Sequence, residues 1–343
     1  MPESLDKSWT IEEDAFPAEG EPQEKLRFLM HYAMLAPSRY NTQPWLFWAQ
    51  GDTVGLCADR TRALPIVDPE NRELTMSCGA ALFHLRVALG RFGYAYSVEP
   101  FPNRWNPDLL ALVRLGAMRD PTEEEAALFH TMFVRRTNRM LFEEREVPEG
   151  ILSALETAAS KEGARLYLVK DKGTREKVAQ LIYEGSRLQW ADEHFRRELA
   201  DWVRPNRTDS RDGMPGGAVG FGELMSMMWP AFASAFEPGH NRAAKDRLLA
   251  TEAPVLAVLA TEDNTRAEWL LAGQALSRVL LRAGAEGMSA SFLSQPIEVR
   301  ALRSRLIDAL GAAGHPQLIF RMGYAPEVRP TPRRSATELT IGR

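Results

Sequence analysis

Apolar residues recur at helical spacing between residues 23 and 35: Leu26, Leu29, Met30, Ala33 and Met34 share one face, and Pro37 stops the run. A polar loop rich in turn formers, residues 37–44, leads into an aromatic run, Trp45-Leu46-Phe47-Trp48. Short apolar stretches predict strands at 53–58, 94–98 and 110–115. Helical patterns occupy 74–92 and 122–133. The first of these has a small, apolar middle, Cys78-Gly79-Ala80-Ala81-Leu82, suited to close helix packing, and Gly93 closes it.

The pattern then starts again. Helical periodicity predicts helices over 151–161, 174–202, 267–283 and 298–310, and strands at 165–169, 255–260, 288–293 and 318–322. Helices alternating with short strands indicate an α/β or α+β class. The block 78–93 aligns without gaps on 272–287, so that Gly79, Ala81, Leu82, Gly90 and Gly93 fall on Gly273, Ala275, Leu276, Gly284 and Gly287. Similar pentads follow each block, Leu112-Val113-Arg114-Leu115-Gly116 and Ile319-Phe320-Arg321-Met322-Gly323. A coincidence of helix-capping glycines is one account. Duplication is the better one, because the strand ahead of each helix also corresponds, and a fused pseudo-dimer follows from it.

Charge and composition narrow the class. The 343 residues are 45% hydrophobic and 26% charged, with a formal net charge of −4 and a pI near 6.0. That balance suits a folded core and argues against nucleic-acid or membrane-surface binding. Two cysteines, Cys57 and Cys78, exclude a disulfide framework and a multi-cysteine metal site. Residues 1–21 are acidic, unlike a signal peptide, and are expected to form a solvated tail or an arm over the surface. No run approaches the roughly 18 apolar residues of a membrane span, so a cytoplasmic protein is expected.

Common catalytic signatures are missing: there is no GxSxG, HExxH, GxxxxGK[ST] or strand-linked GxGxxG. His31 and His84 fall within helices, where packing or capping is expected, and no His/Asp/Glu cluster has metal spacing. Two segments carry candidate chemistry. Ala36-Pro37-Ser38-Arg39-Tyr40-Asn41-Thr42-Gln43-Pro44-Trp45 is either an ordinary Asx-turn loop or a rigid polar edge for a flat aromatic ligand. Arg135-Arg136-Thr137-Asn138-Arg139 is either a solvated basic run or a phosphate and ring-edge site. Arg329, Arg333 and Arg334 form a third basic group open to the same two readings. Residues 190–236 hold Trp190, Trp202 and Trp229, four methionines and Pro215-Gly216-Gly217. They suit a lid over an aromatic cofactor, or a helical hairpin that completes the core.

Together these segments resemble the FMN-dependent nitroreductase superfamily, in which R-x-S-x-[RK] binds flavin phosphate and ring and a P-S-x-x-N-x-Q-P-W loop comes from the partner subunit. Arg135, Thr137 and Arg139 match the first motif, with Thr in place of Ser. Pro37, Ser38, Asn41, Gln43, Pro44 and Trp45 match the second, and Arg333-Arg334 matches the second phosphate-binding element. Each motif occurs in one half only, as in the fused Acg-like branch.

The resemblance implies an α+β nitroreductase-like fold of two fused halves around an antiparallel or mixed sheet core. Its expected units are an arm at 1–21, a first half at 22–134 and a second half at 135–343 with a lid insertion near 190–240. It implies one composite FMN site per chain, in a monomer or homodimer. Arg135, Arg333 and Arg334 would neutralise the phosphate, Arg139 would face the ring's N1/O2 edge, and Pro37, Ser38, Arg39, Asn41 and Gln43 would contact the flavin from the other half. Residues 291–295, including Ser294, align with the segment passing near N5. No side chain need donate a proton. The implied activity is electron transfer from NAD(P)H to a small acceptor; the alternative is FMN storage beneath the lid.

Overall fold

The computed structural model describes residues 9–219, 226–228, 239–311 and 314–342. Helix starts are written into the sequence. Helix α1 (Pro22–Ala33) opens on a reciprocal box between Glu21 and Glu24, with Pro22 in its first turn. Thr122 and Glu125 do the same for α3 (Glu123–Val134). Helix α4 (Glu149–Ser160) follows, and Asp171 caps α5 (Lys172–Ala191) through the Thr174 amide.

Two four-stranded sheets form. The first runs β1-β2-β4-β3 from Trp45–Gln50, Thr53–Ala58, Leu109–Met118 and Tyr94–Pro100. The second runs β5-β8-β10-β9 from Arg165–Leu168, Val255–Thr261, His315–Gly323 and Ser289–Phe292. Every named pairing in both sheets is antiparallel. Counted in chain order within its own sheet, each has the order first, second, fourth, third. Between β5 and β8 the chain inserts α5, α6 (Glu193–Trp202), a parallel two-stranded ribbon of β6 (Val203–Arg204) and β7 (Met214–Pro215), and α7 (Gly239–Thr251).

A helical layer separates the sheets. Helix α2 (Arg72–Arg91) packs on the first sheet and α8 (Arg266–Ala285) on the second, and the two helices pack on each other. All of α2 except Arg86 and Arg91 is buried, as expected of a helix covered on every side. Strand β8 is likewise covered on both faces. Val255, Ala257 and Leu259 join the core built on α8, while Leu256 and Val258 join the core built on α5 and α7. This explains why Val-Leu-Ala-Val-Leu-Ala-Thr shows no alternation of apolar and polar residues.

Two expectations are corrected. The single helix expected over 174–202 breaks at Asp192, whose backbone is extended (ψ 119°) and whose carboxylate caps the His194 amide to start α6. The helix expected over 298–310 becomes α9 (Gln295–Glu298), a 3-10 turn (Arg300–Leu302) and α10 (Arg303–Leu310). Val299, extended at ψ 98°, interrupts it. Met225 and Trp229 of the expected lid lie outside the described residues. The C-terminal segment returns to the first half, where the Ile341 amide donates to the Phe47 carbonyl, and so carries residues 329–334 past the loop at 36–45.

Candidate functional site

The loop after α1 is held in an unusual shape. Tyr40, Asn41 and Gln43 all have left-handed backbones, with φ of 50°, 57° and 50°. Such residues persist only where their surroundings determine them, and hydrogen bonds supply that here. The Gln43 amide donates to Ser38 Oγ at 2.9 Å, and the Asn41 amide donates to the Ser38 carbonyl. Asn41 Nδ2 donates to the carbonyls of Gly213 and Pro332, while its Oδ1 accepts from Arg333 Nη1 at 2.9 Å. Gln43 Nε2 donates to the Arg211 carbonyl, and its Oε1 accepts from the Arg334 amide. The loop, the segment after α6 and the C-terminal segment are thereby tied at Asn41 and Gln43.

The basic run enters from the opposite side. Helix α3 ends at Arg135, and the chain then joins the second sheet through a bridge from Thr137 to Ala290. Arg135, Arg136, Thr137 and Arg139 line one cleft with Pro37, Ser38 and Asn41, and Arg329, Thr331 and Arg333 complete it from the C-terminal segment. Three stretches far apart in sequence therefore converge.

The cleft is built for negative charge. Arg135 is buried, and its Nε has no hydrogen-bond partner among the described residues. Burial, reinforced by Arg136, pushes its pKa down to about 10. Arg139 is pushed to about 10 by burial and by Arg39 and Arg242, against a small opposing pull from Tyr40. Arg333 is pushed well below the usual arginine value by burial, Arg135 and Arg136. Like charges gathered in a low dielectric are unfavourable unless an anion joins them. Guanidiniums also match phosphate oxygens in geometry. This donor set fits a phosphate monoester.

Arg39, Gln43, Ser294 and Arg334 do not reach the cleft wall. Arg39 pairs with Glu298 at 3.0 Å and Glu73 at 3.5 Å, and stacks on Tyr40. Gln43 is spent on the backbone contacts above. Ser294 Oγ bonds both backbone groups of Ile319. Arg334 reaches the Gln43 carbonyl and lies 3.6 Å from Asp59. Sequence reasoning also passed over Trp9, whose ring lies over Arg136 and Arg333. Its neighbours Glu12, Glu13 and Asp14 made this stretch read as a solvated tail or an arm over the surface. The buried group Arg72, Glu73 and Glu298 went unremarked because isolated charges on apolar helices carry no spacing signal.

The segment 203–218 borders the cleft. Met214 lies in its wall, and Arg139 donates to Met214 Sδ and to the Ala218 carbonyl, both at 3.4 Å. Asp212 fixes this segment through Arg62 at 2.8 Å and Arg204 at 3.0 Å. The remaining space, about 40 Å³, admits a small anion. Among the described residues no group of three His, Cys, Asp or Glu side chains is placed to hold a metal ion, and no helix is long and apolar enough to cross a membrane.

The chain resembles proteins of known family. The sequence model described as "Nitroreductase family" matches residues 133–324. A Mycobacterium tuberculosis protein named "Putative NAD(P)H nitroreductase acg" is 31% identical over 319 residues, covering 92% of this chain and 94% of its own. A second one, named "Putative NAD(P)H nitroreductase Rv3131", is 30% identical over 327 residues, covering 92% and 91%. Among solved structures, the FMN-dependent nitroreductase NfnB of Mycobacterium smegmatis in complex with NADPH superposes with a TM-score of 0.41 at 17% identity, covering 64% of this chain and 98% of its own. The chain belongs to the nitroreductase family.

Proposed function

We propose that this chain is an oxidoreductase that holds one FMN in the cleft between its two halves and passes electrons from NAD(P)H to a small acceptor. The observation that carries this reading is the buried Arg135 guanidinium, which shares a cleft with Arg136, Arg139 and Arg333 and has no carboxylate partner among the described residues. The relatives' printed name, "Putative NAD(P)H nitroreductase", supports the reaction class and the donor.

In this reading Arg135, Arg136 and Arg333 hold the phosphate by charge-assisted hydrogen bonds. Arg139 supplies positive charge to the electron-rich edge of the ring. Ser38 and Asn41 bring polar contacts from the first half and Thr137 from the second. FMN, when bound, supplies the redox chemistry, and the protein supplies orientation and charge. Arg334 is left to brace the loop rather than to bind phosphate.

The two halves are read as a tandem duplication. The shared strand order and the paired glycines of α2 and α8 support this. The Pro37–Trp45 motif occurs only in the first half and the arginine motif only in the second, which gives one site per chain.

A second reading, FMN storage with slow turnover, is favoured by the bordering segment and the narrow cleft beside it. The visible spectrum of the purified protein, with chromatography of the material released by heat, tests the first claim. One FMN per chain supports the composite site, two per chain refute the single-site claim, and a colourless protein that FMN cannot reconstitute overturns the reading. Rapid reduction by NADPH supports the enzyme; reduction by dithionite alone supports storage.

A further inference from the structure

The stretch after the undescribed first eight residues contributes to the cleft although none of it lines the wall. Trp9 is only 8% exposed. Its ring lies 4.0 Å from the Arg136 guanidinium carbon and 4.8 Å from that of Arg333, and both arginines line the cleft. The indole Nε1 donates to the Thr331 carbonyl at 3.0 Å, while Arg333 Nη1 donates to Thr331 Oγ1 at 2.6 Å. Trp9, Thr331 and Arg333 thus form a closed ring of contacts. Ile11 and Phe16 anchor the same stretch on the first core.

We infer that Trp9 is a positioning residue for phosphate recognition: its indole ring packs against the guanidiniums of both Arg136 and Arg333 and holds them at the cleft, where both can meet the phosphate of the ligand. The physical need is plain. Arg136 comes from the segment after α3 and Arg333 from the C-terminal segment, and their charges repel. An aromatic face attracts a guanidinium without neutralising it, whereas a carboxylate in the same place would compete with the phosphate. Trp9 therefore gathers the cations without adding an anion of its own. The hydrogen bond to Thr331 fixes the plane of the ring, so both stacks depend on one side chain.

This inference rests on the flavin reading, and the choice of ligands separates the two. Flavin-free full-length protein is titrated with FMN and with riboflavin, which lacks the phosphate, following quenching of flavin fluorescence in the wild type, Trp9→Ala and Trp9→Phe. Trp9→Ala is expected to weaken FMN binding about tenfold and riboflavin binding less than twofold, with Trp9→Phe intermediate for FMN, since it keeps an aromatic face and loses the indole donor. Equal weakening of both ligands makes Trp9 a general brace and overturns the inference. Unchanged FMN affinity overturns it as well. A wild-type protein that binds neither flavin overturns the flavin reading itself, and the inference falls with it.

Discussion

Gly79 and Gly273 stand against each other's helices in a reciprocal contact. A β-carbon on Gly79 would collide with the Leu270 carbonyl oxygen, and one on Gly273 with the Met76 carbonyl oxygen. Residues 76 and 270 are separated by the same 194 positions as residues 79 and 273, so the contact maps onto itself when the halves are exchanged. At this crossing the halves meet backbone against backbone, with no side chain that can turn aside.

Gly79→Ala and Gly273→Ala are therefore expected to destabilise the protein by similar amounts. Overpacking against backbone falls at the upper end of the usual range, about 3 kcal/mol. The gain in helix propensity returns about 1 kcal/mol, leaving about 2 kcal/mol. Chemical denaturation of both variants checks this. A stabilised variant, or a large effect at only one glycine, would contradict the reciprocal packing.

Arg135→Ala is expected to move ligand affinity and stability in opposite directions. A charge-assisted contact is worth about 1.5–3 kcal/mol, so FMN binding should weaken by roughly 10- to 150-fold. In the flavin-free protein Arg135 is buried, beside Arg136, with its Nε unpaired among the described residues. Its folded pKa of about 10 lies below the ordinary arginine value. The charged form is therefore disfavoured by folding, and that penalty is present at every pH below about 10. Removing the side chain should leave the melting temperature of the flavin-free protein unchanged or raised. Flavin titration and thermal melts of the same preparation read both effects.

The sequence was most legible where one segment carries its own signal. The strands at 53–58 and 255–260, the helix around Gly79 and the basic run at 135–139 lie where periodicity and residue type put them. The loop at 36–45 was legible by composition but not in its aim: its shape depends on Asn41 and Gln43 reaching Gly213, Pro332 and Arg211. Arg39 fits a ligand contact by its position in the motif, yet Glu298, 259 residues away, draws it off. Arg333 and Arg334 look equivalent in sequence. Asn41 Oδ1 and Trp9 turn one into the cleft, while the Gln43 carbonyl and Asp59 hold the other outside. Long-range partners of this kind leave no local pattern.

The buried group around Glu298 gives a pH signature. Burial pushes its carboxyl up to about 7, with Arg39 pulling down and Glu73 pushing up. The folded state thus binds a proton that the unfolded state, with a carboxyl near 4.5, releases. The stability tied to this proton is full below about 4.5 and is lost as pH rises through about 7. Asp68, raised to about 6 by burial and Glu73, acts with the same sign. Glu298→Gln should therefore flatten the fall in stability between about pH 4.5 and 7 without abolishing it. Denaturant midpoints across that range check this, and a variant with the wild-type slope would show that Glu298 stays ionised throughout.

Asp212 offers the direct test of the proposed gating by segment 203–218. It joins Arg62, which also donates to the Thr42 carbonyl of the loop, to Arg204 in β6. Burial raises its carboxyl, but Arg62, Arg204 and Ser210 outweigh it and hold the pKa below the ordinary range, so the latch stays charged at neutral pH. A half-buried pair of this kind contributes more than an exposed one, because less water screens it. Asp212→Ala should loosen the segment that carries Met214 over Arg139 and speed the reduction of bound FMN by NADPH several-fold. Reduction by dithionite, a small reductant, should change far less. Anaerobic stopped-flow absorbance measures both rates. Equal acceleration by the two reductants would mean that the substitution opened the fold generally, and no acceleration by NADPH would mean that this segment does not gate the cleft.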